Sequence, residues 1–297
     1  MQALGSAAVI TTMSLLTACA APAPSKSEQV FSDPLLTRQG GVLVLVDSCI
    51  QRDGLGDRDY FVVKESQAGA HAALEALHDI LQRNDVVVRA DVILVCGARL
   101  NATHSSITVA DTVGGERRQA SQPLQVSGPG ADDPRLLQAL SDLSTYAFER
   151  AAVQRDKKAA GKKNEPPPAI SASTYHEAAA LLKEKTQAST VLFLGALGTS
   201  ISGGKKAAQF MGGMIVGIGT GVATAGLGTG YYAMFIPGHK ISGAVMESAL
   251  IDLESGELTW SNAVRASGDP VQPEVLANAE TLDLLLHNIM FQPVSRQ

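Results

Sequence analysis

The chain has 297 residues, of which 45% are hydrophobic, 18% charged and 4% aromatic. That length buries a sizeable core in one or two domains, and the low charge excludes a fully disordered chain. Lys and Arg total 24 against 29 Asp and Glu, a net charge of −5, which excludes a basic nucleic-acid binder.

Residues 2–18 carry no charge and are mostly small or apolar. The apolar run from Leu4 to Leu16 is shorter than the ~20 residues a membrane-spanning helix needs. It fits the apolar core of a secretory signal. It ends in Leu16-Thr17-Ala18-Cys19, followed by Ala20-Ala21-Pro22-Ala23-Pro24-Ser25. The four-residue run resembles the lipobox of bacterial lipoproteins. That resemblance implies cleavage before Cys19, a diacylglycerol on its sulfur and acylation of the new amino group. Several acyl chains anchor firmly where one binds only marginally. Ala20 after the Cys points to the outer rather than the inner membrane. The expectation is a signal peptide at 1–18, a flexible tether at 19–40 and a single periplasmic domain at 41–291.

The run Gly41–Val46 reads as a buried strand. A polar loop is expected from Asp47 to Asp59. It holds Asp53, Asp57 and Asp59, but Arg58 and Lys64 stand where a calcium loop needs Gly and Glu. Residues 65–82 read as a helix, with Ala68, Ala72, Ala76 and Ile80 on one face and Leu74, Leu77 and Leu81 beside it. Residues 85–95 form a second strand or two short ones. Cys49 and Cys96 then lie near strand ends. An oxidising compartment allows them to pair, and two buried free thiols are the alternative; both readings stay open.

Residues 106–126 read as an exposed hairpin turning at Gly114-Gly115. Asp133-Pro134 opens a long helix to about Lys158, with Pro at its first position. A charged, proline-stopped linker with Pro166-Pro167-Pro168 follows. Residues 105–168 are expected to be a variable middle region. Thr174 and Glu177 form a capping box for the next helix. Residues 190–197 read as a further buried strand.

From 207 to 238, 32 residues include no Asp, Glu, Lys, Arg or His. Gly213, Gly217 and Gly221 are spaced four apart, as in helices that pack closely, and resemble the glycine zippers of envelope proteins. A period-2 reading competes, in which Gly217, Gly219 and Gly221 alternate with apolar or Thr residues, as in a hairpin of membrane length. The helix is preferred for about 205–223, within an apolar insertion spanning 203–238. Strands are expected at 231–236, 241–253 and 258–266, with a turn at 254–257. A closing helix is expected at 273–290.

The stretch Ala249-Leu250-Ile251-Asp252-Leu253-Glu254-Ser255-Gly256-Glu257-Leu258-Thr259-Trp260-Ser261 resembles the curli-secretion lipoprotein family, related to lipoproteins of TolB N-terminal-like fold. The likeness covers about residues 41–100 and 170–290, with Asp252, Gly256, Glu257 and Trp260 carrying the hairpin signature. It implies an α/β (α+β) fold: a mixed sheet with helices packed on it, ending in a β-meander and a closing helix. Some members of that family are oligomeric outer-membrane secretion pores and others are accessory lipoproteins.

No nucleophile, metal or phosphate motif stands out. His71 and His78 are seven apart on one helix, too far for one metal ion, and neither G-x-S-x-G nor a P-loop occurs. The expected function is a lipid-anchored protein of the outer membrane that acts through protein contacts or self-association. A secretion pore and a periplasmic hydrolase are the alternatives. No cofactor, metal, nucleic acid or small-molecule substrate is expected.

Overall fold

A computed structural model describes residues 40–53, 59–103, 106–124, 126–129, 132–159, 172–201 and 242–286. The expected signal, the expected tether up to residue 39 and the glycine-rich insertion, with Cys19, Gly213, Gly217 and Gly221, lie outside the described residues. So do the strand expected at 231–236 and the linker at 160–171.

Among the described residues, a nine-stranded mixed sheet is built around β1 (Val42–Asp53). β1 does not stop at Val46 as expected; it runs on through Asp47 to a buried Asp53. On one side it pairs in parallel with β7 (Thr190–Ile201) over its full length. On the other side its neighbour changes partway. Val42 to Ser48 pair in parallel with β3 (Val88–Val95), and then Gln51 and Arg52 pair antiparallel with β2 (Tyr60–Val62). β2 continues to β4 (Ile107–Ala110) and β5 (Arg117–Ala120), and β3 continues to β6 (Val126–Ser127). Beyond β7, β8 (Gly243–Asp252) and β9 (Leu258–Ser267) complete an antiparallel meander.

The sheet therefore forks beside Cys49. A fork leaves backbone groups without a strand partner, and buried groups of that kind must be satisfied. The Ile50 amide donates to Ser66 Oγ (2.9 Å), which in turn donates to the Val62 carbonyl (2.6 Å). Ser48 O accepts from the Cys96 amide (3.1 Å).

Period-2 alternation divides the core. Val42, Val44, Val46 and Ile50 face α1 (Val63–Arg83), which presents Ala70, Ala73, Leu77 and Leu81 at helical spacing. Leu43 and Leu45 face the opposite layer of α2 (Gly97–Thr103), α3 (Pro134–Ala159) and α4 (Ala172–Thr186). α3 begins where expected, with Asp133 Oδ1 accepting from the Arg135 amide (3.0 Å) and the Leu136 amide (3.4 Å). Its Leu140, Leu143 and Phe148 are among the most buried side chains. The middle region, 105–168, supplies three strands and the main covering helix among the described residues. α4 starts at Ala172, two residues ahead of the expected capping box at Thr174.

The closing helix expected at 273–290 is broken. α5 (Pro273–Leu276) and α6 (Ala279–Leu285) are separate segments. Asn278 has an extended backbone and its side chain accepts from the Thr281 amide, so it caps a new helix rather than continuing the old one. Leu276, Leu282 and Leu285 still pack against the α1 layer.

Two of the three edges of the forked sheet, β5 and β9, are blunted. β5 has four residues, and its Arg117, Arg118 and Gln119 are exposed. On β9, Asn262 Oδ1 accepts from the Ala263 amide (2.9 Å). Its Nδ2 donates to the carbonyls of Leu284 (3.1 Å) and Leu285 (2.8 Å).

Candidate functional site

The most unusual chemistry lies under the fork. Asp47 faces the α2–α3 layer and is 2% exposed. Its Oδ1 accepts from the Gly97 amide (3.0 Å), and its Oδ2 accepts from the Ala98 amide (2.7 Å) and Ser144 Oγ (2.6 Å). Burial pushes the carboxyl up from its ordinary value. The Ser144 hydroxyl and then the Ala98 and Gly97 amides favour the anion and pull against that rise. Two residues along β1, Cys49 is joined to Cys96 in a disulfide, with Cα atoms 4.6 Å apart. Of the two readings left open by the sequence, the structure takes the bonded one. Cys96 follows β3 in the left-handed backbone region (φ 57°), from which Gly97 turns at once into α2.

One row of side chains crosses this face. Asp47 is level with Gly195 of β7, and Gly195 with Glu247 of β8. Glu247 is also 2% exposed. The two carboxylates do not meet, because Phe148 of α3 occupies the space above Gly195, its ring edge-on to Phe193 at 5.0 Å.

In open α/β sheets, anionic ligands settle where a strand ends and a helix begins. Here the first amides of α2 are already taken by the protein's own carboxylate. Cys49, Cys96, Asp47 and Ser144 are all closed to solvent. The arrangement ties three elements together rather than presenting a reacting group.

The hairpin that carried the family likeness sits between β8 and β9. Asp252 O accepts from the Gly256 amide (2.7 Å), Glu257 O from the Asp252 amide (2.9 Å), and Asp252 Oδ1 from the Glu254 amide (2.9 Å). Trp260 lies opposite Leu250 and packs on the α1 layer. Gly256 has φ +70°, and a Cβ there would stand 2.6 Å from His176 Nδ1. Gly256→Ala is expected to lower stability by about 1–2 kcal/mol in thermal denaturation, from backbone strain plus displacement of His176. An unchanged midpoint would mean that the turn relaxes freely.

His78 Nε2 lies 2.7 Å from Asp91 Oδ1, on a partly exposed surface of α1 and β3. Among the described residues, no group of three or more His, Cys, Asp or Glu could hold a metal ion. Among them, no helix is long and apolar enough to cross a membrane. Asp47, Ser144, Gly195 and Glu247 were not singled out from sequence; a polar residue directly after an apolar run was the available signal. No protein-family profile, curated protein or solved structure matches the chain.

Proposed function

We propose that this chain is a lipid-anchored lipoprotein on the periplasmic face of the bacterial outer membrane, acting through protein contacts in envelope assembly or secretion. The observation that carries the reading is Leu16-Thr17-Ala18-Cys19 followed by a Pro/Ala/Ser tether. The Cys49–Cys96 disulfide supports an oxidising compartment. Cys19→Ala moves the protein from the membrane fraction to the soluble fraction of lysed cells. Retention in the membrane fraction would sink the anchor.

A second reading, an oligomeric secretion pore, is favoured by the insertion. Among the described residues, large exposed apolar side chains stand at Val87 just before β3, at Val113 in the β4–β5 turn and at Leu284 on α6. No broad apolar patch results, so a permanent ring built from described surfaces lacks its usual adhesive. The uncharged segment 207–238 is the remaining source. It departs and returns at neighbouring positions, because Thr199 pairs with Gly243 and the Ile201 amide donates to Ser242 Oγ (3.1 Å).

Replacing 202–241 with Asn-Gly should therefore leave the thermal midpoint of the domain unchanged. Loss of a ring-sized molar mass, by light scattering on detergent-solubilised protein, together with loss of conductance in planar bilayers, would establish the pore. A parent protein that is monomeric and non-conducting removes the pore and leaves the accessory lipoprotein.

A further inference from the structure

Asp47 and the Cys49–Cys96 disulfide are two residues apart on β1, and both act on the same three-residue stretch, Cys96 to Ala98. The disulfide holds Cys96 against Ser48, in a backbone conformation that residues with side chains seldom adopt. That conformation aims the Gly97 and Ala98 amides at Asp47. A buried carboxylate is tolerated only while its donors stay in place. Ser144 on α3 supplies one donor, and the other two hang directly on the disulfide.

We propose that the disulfide and Asp47 form one coupled lock, in which the buried carboxylate becomes compatible with the fold only once Cys49 and Cys96 are joined. Closure forms one S–S bond. Two electrons and two protons pass to a disulfide-type oxidant, which leaves as a dithiol. Before closure, α2 is free to draw its amides away, and the carboxylate stands in the core with the Ser144 hydroxyl alone. The fold is then completed by oxidation. Its use as a gate that delays final folding until the chain reaches an oxidising compartment rests on the reading above. The lock itself does not, and Cys19→Ala tests that reading separately.

Among the described residues, few other charges bear on Asp47. Arg99 on α2 sits over the Phe61 ring at 5.9 Å, and Asp142 on α3 accepts from Gln138 (2.9 Å). Glu149 lies further along α3. Glu247 shares the Asp47 face of the sheet, beyond Gly195 and the Phe148 ring. On β3 the paired stretch carries Asp91, which lies 2.7 Å from His78 Nε2 of α1, and β7 brings no charge in its paired stretch.

The test is a double-mutant cycle on the purified full chain. It compares the parent, Asp47→Asn, Cys49→Ser/Cys96→Ser and the triple variant by urea denaturation at pH 7 and in mild acid. With the disulfide present, Asp47→Asn lowers the folded-to-unfolded ratio, because an amide cannot accept from all three donors. Without the disulfide, the same change raises that ratio at pH 7, and so does acid. The coupling is at least about tenfold, as for residues in one hydrogen-bonded network. Equal effects of Asp47→Asn in both backgrounds would overturn the lock. If the Cys-free chain is unfolded at pH 7, refolding in acid or with Asp47→Asn supports the lock. Failure to refold under either overturns it, and leaves the disulfide acting by chain entropy alone.

Discussion

Asp47→Ala is expected to lower folding stability by about 3–5 kcal/mol, the range seen when one member of a buried charged network is removed. Two backbone amides and one hydroxyl now donate to this carboxylate. Each loses its acceptor in a site closed to water, and an orphaned buried donor costs roughly 1–3 kcal/mol. Relief of the carboxylate's own desolvation offsets part of this. Against a total stability of ~5–15 kcal/mol, the change moves the midpoint of urea denaturation far enough to leave no ambiguity.

The pH dependence has a definite sign. The folded carboxyl titrates above its ordinary value. The pH-dependent part of its contribution is therefore fully present below the unfolded carboxyl's pKa of about 4 and is lost as pH rises through the raised folded value. The gap between parent and Asp47→Ala should be widest in acid and narrow towards neutral pH. A gap that widens with rising pH would show that the amides and Ser144 outweigh burial.

The second large effect is expected at Gly195. A Cβ built there would clash with Phe148 Cζ and lie 2.8 Å from Phe193 Cζ. Both contacts are with rigid rings, so neither gives way by a simple rotation. Gly195→Ala must expel Phe148 from its edge-on contact with Phe193. Overpacking costs about 1–3 kcal/mol and the aromatic pair a further ~0.5–1.5 kcal/mol, so a loss near 3 kcal/mol is expected. Phe148→Leu, harmful alone, should recover part of that loss when combined with Gly195→Ala. Strictly additive losses in the double variant would show that the ring does not fill this space.

Much of the architecture was legible because apolar periodicity reports burial directly. The runs at Val42–Val46 and Thr190–Leu197 announced the central parallel strands, and Asp133-Pro134 marked the start of α3. What escaped was burial of polar residues. Asp47 ended the apolar run, and pattern reasoning sends such a residue to solvent. Its donors lie about 50 and 97 positions away, where no local signal reaches. The break at Asn278 escaped for a related reason. The apolar face from Val275 to Leu286 has helical spacing throughout, and only the Asn278 side chain, accepting from the Thr281 amide, restarts the helix. Gly195 read as one more small residue in a strand, since the ring that needs its space comes from α3.

The β1–β7 ladder has a mechanical consequence. The two strands run parallel and stay paired from Val42–Thr190 to Asp53–Ile201. The chain leading to Cys19 enters at the start of β1, and the glycine-rich segment leaves from the end of β7. A pull between those two attachments would act along the strand axes in opposite directions. It would load the whole ladder in shear at once rather than unzip it one bond at a time. The ladder is placed to bear tension along the line between the chain ahead of β1 and the segment that follows β7.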